Sequence, residues 1–213
     1  MPWGESDTRA KLIDPGLHAC GWTEDLIRRE ETAGTVEIVD GRARRRARGR
    51  VDYVLRVKVS ESSQPVAVAL IEAKAENLPP GHGLEQGKAY AACRRLNVAF
   101  VFSSNGSMFV EFDRTSGLTS SARPLSEFPT PAALRARYEQ AVGFSLEAPA
   151  ARPLVTRYAG GEEGTRRYYQ DAAVRAVLEK LARGETRALL SLATGAGKTR
   201  IAVNLLRRIA DAG

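Results

Sequence analysis

VDYVLRV (Val51–Val57) runs across a serine-rich turn at Glu61 to Pro65 into VAVALIEAK (Val66–Lys74), and the reading of this stretch decides the fold. Both arms are rich in β-branched residues at strand length, which predicts two strands lying side by side. That pairing brings Asp52, near the start of one strand, close to Glu72 and Lys74 at the end of the other. Glu72 and Lys74 are two residues apart, so their side chains share a face. Two carboxylates and an ammonium gathered at the end of a hairpin are costly to desolvate, and a divalent cation supplies a compensating charge.

The chemistry such a trio supports is cation-assisted phosphodiester hydrolysis. Oxygens of Asp52 and Glu72, with the Ala73 carbonyl, are hard donors suited to Mg²⁺, which keeps several waters and takes up a substrate phosphate. The cation polarises the phosphoryl oxygen and activates a water, while Lys74 positions that water or stabilises the pentavalent charge. Asp…Glu-x-Lys also describes solvated, salt-bridged strand faces, so the order of the surrounding motifs carries weight.

Asp52 as a first acid, with Glu72-Ala73-Lys74 as the second element, resembles the core of PD-(D/E)xK nucleases. Gln86 and Tyr90, at i and i+4 in the helical stretch that follows, share one helix face. Helix-borne Gln-x-x-x-Tyr after Glu-x-Lys resembles the signature of RecB-like nucleases and of the motor subunits of type I restriction enzymes, where it lies beside the active site. Glu5-Ser-Asp-Thr-Arg9, then Leu12-Ile-Asp-Pro15 and Ala19-Cys-Gly-Trp22, resembles the first helix of those subunits. The resemblance implies that an acid of this helix completes the metal site: Glu5, with Asp7 as the alternative. Either acid also suits a helix N-terminus through the dipole alone. Downstream, the strand Val98–Phe102 turns at Ser103-Ser-Asn105-Gly106 into the strand Met108–Phe112, a hairpin with a structural role.

ALLSLATGAGKTRIAV, near the other end of the chain, reads as a buried strand at Ala188 to Leu192, a glycine-rich loop and a helix striped by Ile201, Leu205 and Ile209. Backbone N–H groups at Thr194, Gly195, Ala196 and Gly197 can turn toward phosphate oxygens, Lys198 can reach the β- and γ-phosphates, and Thr199 can offer its hydroxyl to Mg²⁺. Leu192 stands where the simplest phosphate-loop pattern has its first glycine. The ATG-x-GKT form instead resembles superfamily 2 helicases and translocases. Arg167-Tyr-Tyr-Gln170 precedes a helix striped by Val174, Val177, Leu178 and Leu181 and ended by Gly184. In the resemblance, Gln170 is the adenine-reading glutamine. Few residues follow Thr199, so the expectation is ATP contact without turnover, because hydrolysis also needs a later acidic motif and arginines of a second lobe.

The whole order of motifs resembles the N-terminal part of the restriction (R) subunit of a type I restriction endonuclease. That implies an α/β architecture: a restriction-endonuclease-like mixed sheet flanked by helices (1–143), a linker (144–164), and the beginning of a RecA-like P-loop domain (165–213). It further implies double-stranded DNA as substrate, Mg²⁺ and ATP as cofactors, and methyltransferase and specificity subunits as partners. Two other readings stay open: a superfamily 2 helicase fragment that only binds DNA, and a docking fragment without activity.

Composition agrees in sign. In 213 residues the net charge is +7, which favours a polyanionic partner. Arg42, Arg44, Arg45, Arg46, Arg48 and Arg50 crowd the approach to Asp52, either as a solvated loop or as phosphate-neutralising cations. Two separated cysteines, Cys20 and Cys93, support neither a disulfide framework nor a zinc site, and His18 and His82 read as structural. Without a signal peptide or an apolar span, the expected compartment is a reducing cytoplasm, with no membrane contact.

Overall fold

The computed structural model describes residues 1–32, 36–39, 42–45, 49–92, 96–157 and 168–213, with backbone alone for 32, 36–39, 42–45, 168 and 169. Arg46, Arg48, Cys93, the 158–164 end of the expected linker and Arg167 lie outside the described residues. Two compact units form: Met1–Val57 with Ala67–Tyr138, and Lys58–Val66 with Glu139–Gly213. Among the described residues, no helix is long and apolar enough to cross a membrane.

The first unit is built on a six-stranded sheet. Its strands are β1 (Ile27–Thr32), β4 (Arg50–Val57), β5 (Val66–Ala73), β6 (Phe100–Ser104), β7 (Met108–Asp113) and β8 (Arg123–Pro124), adjacent in that order. β2 (Val36–Val39) and β3 (Arg42–Arg45) form a separate antiparallel pair between β1 and β4 in the chain. β1 pairs antiparallel with β4, β5 parallel with β6, and β6 antiparallel with β7, so the sheet is mixed as the sequence predicts. A parallel neighbour requires a crossover, and α3 (Leu84–Ala91) lies in the connection from β5 to β6.

Alternation along the strands divides the core. Leu70 and Val101 pack with Leu84, Ala91, Leu96 and Val98 on one side of the sheet. Phe102 and Phe109 meet Phe128, with ring centroids 4.7 and 5.1 Å away, and Trp22 closes the same cluster at 6.5 Å from Phe128. The indole N–H of Trp22 donates to the Pro129 carbonyl at 2.9 Å, so its polar edge is satisfied within the apolar cluster.

The chain enters through α1 (Glu5–Thr8), a π-helical turn over Arg9–Ile13, and α2 (Asp14–Ala19). Pro15 explains the widened turn: within a continuing helix its ring clashes with the carbonyl four residues back and it has no N–H to donate. This segment is seated on the Asn105-Gly106 turn. Asn105 Oδ1 accepts from the N–H groups of Ser107 and Met108, and Nδ2 donates to the Leu78 carbonyl at 2.9 Å. Gly106 has φ +90°, and a Cβ there would stand 2.7 Å from Leu12 and 2.8 Å from Thr8. The turn read as structural therefore joins the N-terminal helix to the loop that follows Lys74.

The second unit departs from the sequence reading at one expected strand. Ala188–Leu192, expected as a buried strand, forms no strand, and Leu189 is 94% exposed. An apolar run supplies strand propensity, but its backbone needs a neighbouring ladder, and no strand among the described residues pairs with it. Residues 144–157, within the expected linker, fold into a 3₁₀ turn (Pro149–Ala151) and α5 (Arg152–Val155), burying Phe144, Leu146, Ala151 and Leu154. Apolar side chains on either side of the prolines give this segment something to bury. The serine-rich turn joins it, with the Gln64 N–H on the Val155 carbonyl at 2.6 Å and Arg157 on the Glu61 carbonyl at 2.8 Å.

α6 (Tyr168–Ala182) buries Val174 and Leu178, as its stripe predicts. It ends in a Schellman cap: Gly184 at φ +81°, Gly184 N–H on the Leu181 carbonyl, and Glu185 N–H on the Lys180 carbonyl. α7 (Lys198–Asp211) buries Ile201 while leaving Ile209 exposed.

Candidate active site

β4 and β5 bring the predicted trio together. Asp52 Oδ2 accepts the Ala73 N–H at 2.8 Å, tying the start of one strand to the end of the next. Glu72 is 1% exposed, and its Oε1 has no hydrogen-bond partner among the described residues. Lys74 Nζ stands 4.0 Å from Glu72 Oε2 and 3.7 Å from Glu5 Oε2, so the ammonium lies between the strand acid and the helix acid. Ala73 contributes its N–H to Asp52; that is the contact the structure gives it at the site.

Gln86 and Tyr90 extend the trio. Lys74 Nζ donates to Gln86 Oε1 at 3.2 Å, and Gln86 Nε2 donates to Tyr90 Oη at 3.1 Å. A helical i, i+4 pair thus fixes the end of the lysine through a chain of two hydrogen bonds. Asp7 instead pairs with Lys11 on the surface at 3.1 Å, which leaves Glu5 as the helix acid beside Lys74.

Burial dominates the electrostatics. It pushes Asp52 above the ordinary carboxylate range, against the opposing Ala73 N–H and the Arg9 charge. Burial, reinforced by the Asp52 carboxylate, pushes Glu72 up to about 8. Two buried acids that resist ionising side by side, one with an orphaned oxygen, fit a divalent cation, which would favour both charged forms. Among the described residues, no group of three or more His, Cys, Asp or Glu side chains is arranged to hold a metal ion. Asp52 and Glu72 form a two-carboxylate donor set of the kind Mg²⁺ accepts when water and phosphate complete its shell.

Three contributors escape a reading of the sequence. Arg9 Nη1 donates to Asp52 Oδ1 at 3.3 Å, and its guanidinium lies 5.4 Å over the Tyr53 ring. Gly83 and Gly87, one helical turn apart, form the face of α3 that meets the site. A Cβ on Gly83 would stand 2.8 Å from Lys74 Cε and 2.9 Å from Glu72 Cβ, and one on Gly87 would stand 2.7 Å from Val101. Their spacing was the available signal, since small residues at i and i+4 allow a helix to approach closely. Gly87→Ala is expected to push α3 off the sheet, costing about 1–3 kcal/mol in urea unfolding and loosening the Lys74–Gln86 contact.

In the second unit, Gly195 and Gly197 have φ of +77° and +82°, the left-handed turns a phosphate-cradling loop needs, and α7 begins at Lys198. Thr194, Lys198 and Thr199 are exposed, and Ala196 is partly so. Gln170 is buried; its Nε2 donates to the Ala196 carbonyl at 3.0 Å, while its Oε1 has no partner among the described residues. A side chain on Gly197 would run into Gln170 Nε2. The glutamine expected to read adenine therefore rests here on the loop backbone.

Comparison with known proteins agrees over both units. The family described as "Type III restriction enzyme, res subunit" matches residues 163–213. The chain is 33% identical over 217 residues to the type I restriction enzyme EcoAI endonuclease subunit of Escherichia coli, covering 96% of this chain and 25% of that protein. A stretch of 43 residues is 49% identical to the EcoKI endonuclease subunit of Escherichia coli strain K12, covering 20% of this chain and 4% of that protein. Among solved structures, the fragment structure of a putative HsdR subunit of a type I restriction enzyme from Vibrio vulnificus matches with a TM-score of 0.76 at 30% identity, over 100% of this chain and 39% of that one. Spanning about a quarter of the length of its long curated relative, the chain is a homologue of the HsdR endonuclease subunits of type I restriction enzymes.

Proposed function

We propose that this chain carries a Mg²⁺-dependent DNA endonuclease site of the PD-(D/E)xK type at Asp52, Glu72 and Lys74, joined to the ATP-contacting start of a superfamily 2 motor. The observation that carries this reading is the buried, partnerless Glu72 Oε1 beside Asp52, with Lys74 held at the same point by Gln86 and Tyr90. A structural salt bridge would leave no orphaned acceptor at its centre.

In this reading Asp52 and Glu72, with the Ala73 carbonyl and Glu5, would hold the cation. Mg²⁺, when bound, supplies Lewis-acid polarisation of the phosphate and a more acidic water. Lys74 meets the negative charge that grows on the phosphate in the transition state, and the Gln86–Tyr90 chain keeps its ammonium from straying into solvent. The closely packed face of α3 keeps bulk water off Glu72. Thr194 to Thr199 cradle phosphates of ATP, with Lys198 and Thr199 at its far end and Gln170 at the adenine edge. The domain division at 143 and the linker at 144–164 belong to the same reading, as do cytoplasmic double-stranded DNA as substrate and methyltransferase and specificity subunits as partners.

Supercoiled plasmid relaxation tests it. With Mg²⁺ or Mn²⁺ the chain is expected to nick plasmid, and Asp52→Asn is expected to lose nicking while retaining DNA in a mobility shift. Nicking that survives Asp52→Asn, or a native chain that neither nicks nor takes up a divalent ion, sinks the reading and favours a DNA-binding or docking fragment.

A further inference from the structure

Arg9 ends the Glu5–Arg9 segment without any role assigned to it from the sequence, yet it touches the first acid directly. Its Nη1 lies 3.3 Å from Asp52 Oδ1, and its Nη2 lies 3.6 Å from Glu30 Oε1. The guanidinium therefore forks between two carboxylates on neighbouring strands. Their placement is not accidental in the ladder: Arg29 pairs with Tyr53 and Glu31 with Val51, so Glu30 and Asp52 fall in the gap between those pairs. Glu30 holds φ +55°, a left-handed conformation that a non-glycine residue adopts only at a cost. The other oxygen of Asp52 is already committed, since Oδ2 accepts the Ala73 N–H at 2.8 Å. The accessible lone pairs of Oδ1 are thus the ones that Arg9 covers.

The burial of the three groups differs in a useful way. The Arg9 and Asp52 side chains are 20% and 13% exposed, whereas Glu30 is 52% exposed and also meets Arg50 at 3.1 Å. Arg9 already meets Glu30 through Nη2 and lies 5.4 Å over the Tyr53 ring, so giving up Asp52 leaves it one carboxylate partner. A guanidinium and a dication cannot share one carboxylate oxygen closely without strong repulsion.

We propose that Arg9 is a displaceable counter-cation of the site: it holds Asp52 Oδ1 until a divalent cation takes that oxygen, and it then passes to Glu30. This rests on the reading that Asp52 and Glu72 hold such a cation. The device keeps a buried acid pair partly neutralised before the cation arrives and sets a threshold for filling the site. It differs from a positioning role in the sign of its effect, because a residue that merely holds Asp52 in place would aid cation binding.

Calorimetric titration with Mn²⁺ decides the sign. Arg9→Gln removes the charge while keeping a polar, helix-compatible side chain, and it is expected to bind Mn²⁺ about tenfold tighter than the native chain. Arg9→Lys, which retains a cation, is expected to stay close to native affinity, and Glu30→Gln, which removes the receiving carboxylate, to bind more weakly. Thermal melts in EDTA confirm that each variant is folded. Unchanged or weaker Mn²⁺ affinity in a folded Arg9→Gln, beside a native chain that binds, overturns the counter-cation role and leaves the cation site standing. Should neither the native chain nor Arg9→Gln bind Mn²⁺, the cation-site reading itself falls, and the proposal with it.

Discussion

Replacing Glu72 by glutamine is expected to stabilise the cation-free chain at alkaline pH and, in the same protein, to remove cation-dependent nicking. The two effects have one cause. Glu72 sits at 1% exposure with an orphaned oxygen, and burial with the neighbouring Asp52 charge pushes it from 4.5 in an exposed setting to about 8. Between those values the folded chain keeps a proton that an unfolded chain releases. Stability therefore falls as pH rises from about 4.5 through 8, and the full cost is present above 8. Glutamine carries no proton to lose, so its profile lacks that slope. At pH 9 in EDTA the variant is expected to exceed the native chain by on the order of 2–4 kcal/mol in urea unfolding, with little difference at pH 4. Nicking by the same variant is expected to drop by roughly a thousandfold, since a neutral amide is a poor ligand for a hard dication. Parallel stability profiles for the two proteins would mean that Glu72 is ionised and satisfied by something else.

Lys74→Ala is expected to separate chemistry from cation binding. Its Nζ reaches Glu72, Glu5 and Gln86 without being either buried acid's only support. Loss of the ammonium removes the donor that meets charge on the phosphate, a deficit of about 100- to 1,000-fold in nicking rate. Mn²⁺ affinity at pH 9 is expected to hold or improve, because a positive charge leaves the neighbourhood of the site. Alkaline conditions matter here: the Lys74 charge lowers the Glu72 pKa, and its removal moves Glu72 further toward the protonated form at neutral pH. A lysine whose loss abolishes cation binding and nicking together would be a structural prop rather than a participant.

Much of the site was legible because its signals are local. β-Branched runs placed Val51–Val57 and Val66–Ala73 within a residue of the observed strands, and the i, i+4 spacing of Gln86 and Tyr90 anticipated their hydrogen bond. The two-residue spacing of Glu72 and Lys74 put both on one face. Arg9 was illegible for the opposite reason. Its partner lies 43 positions away, and the contact depends on how a π-widened helix crosses β4, a tertiary fact with no periodic trace. An arginine in a helix ordinarily faces water. Gly83 and Gly87 carried a faint signal, small residues one turn apart, whose meaning emerges only when the face they pack against is known.

The strand expected in the second unit departs from the structure for a physical reason. Ala188–Leu192 has the composition of a buried parallel strand, but composition cannot supply a neighbour for the backbone to bond, and these residues form no ladder, with Leu189 exposed and Leu190 and Leu192 half-buried. Within the segment expected as a linker, Phe144, Leu146, Ala151 and Leu154 are buried around Pro149 and Pro153.

The most direct measurement is the location of Mn²⁺ by anomalous scattering in crystals of the chain soaked at alkaline pH, where Glu72 is ionised. One strong peak is expected within coordinating distance of both Asp52 and Glu72, with Lys74 beside it and Arg9 turned from Asp52 toward Glu30. No peak there, with Arg9 still on Asp52 Oδ1 and Glu72 still partnerless, would contradict this expectation.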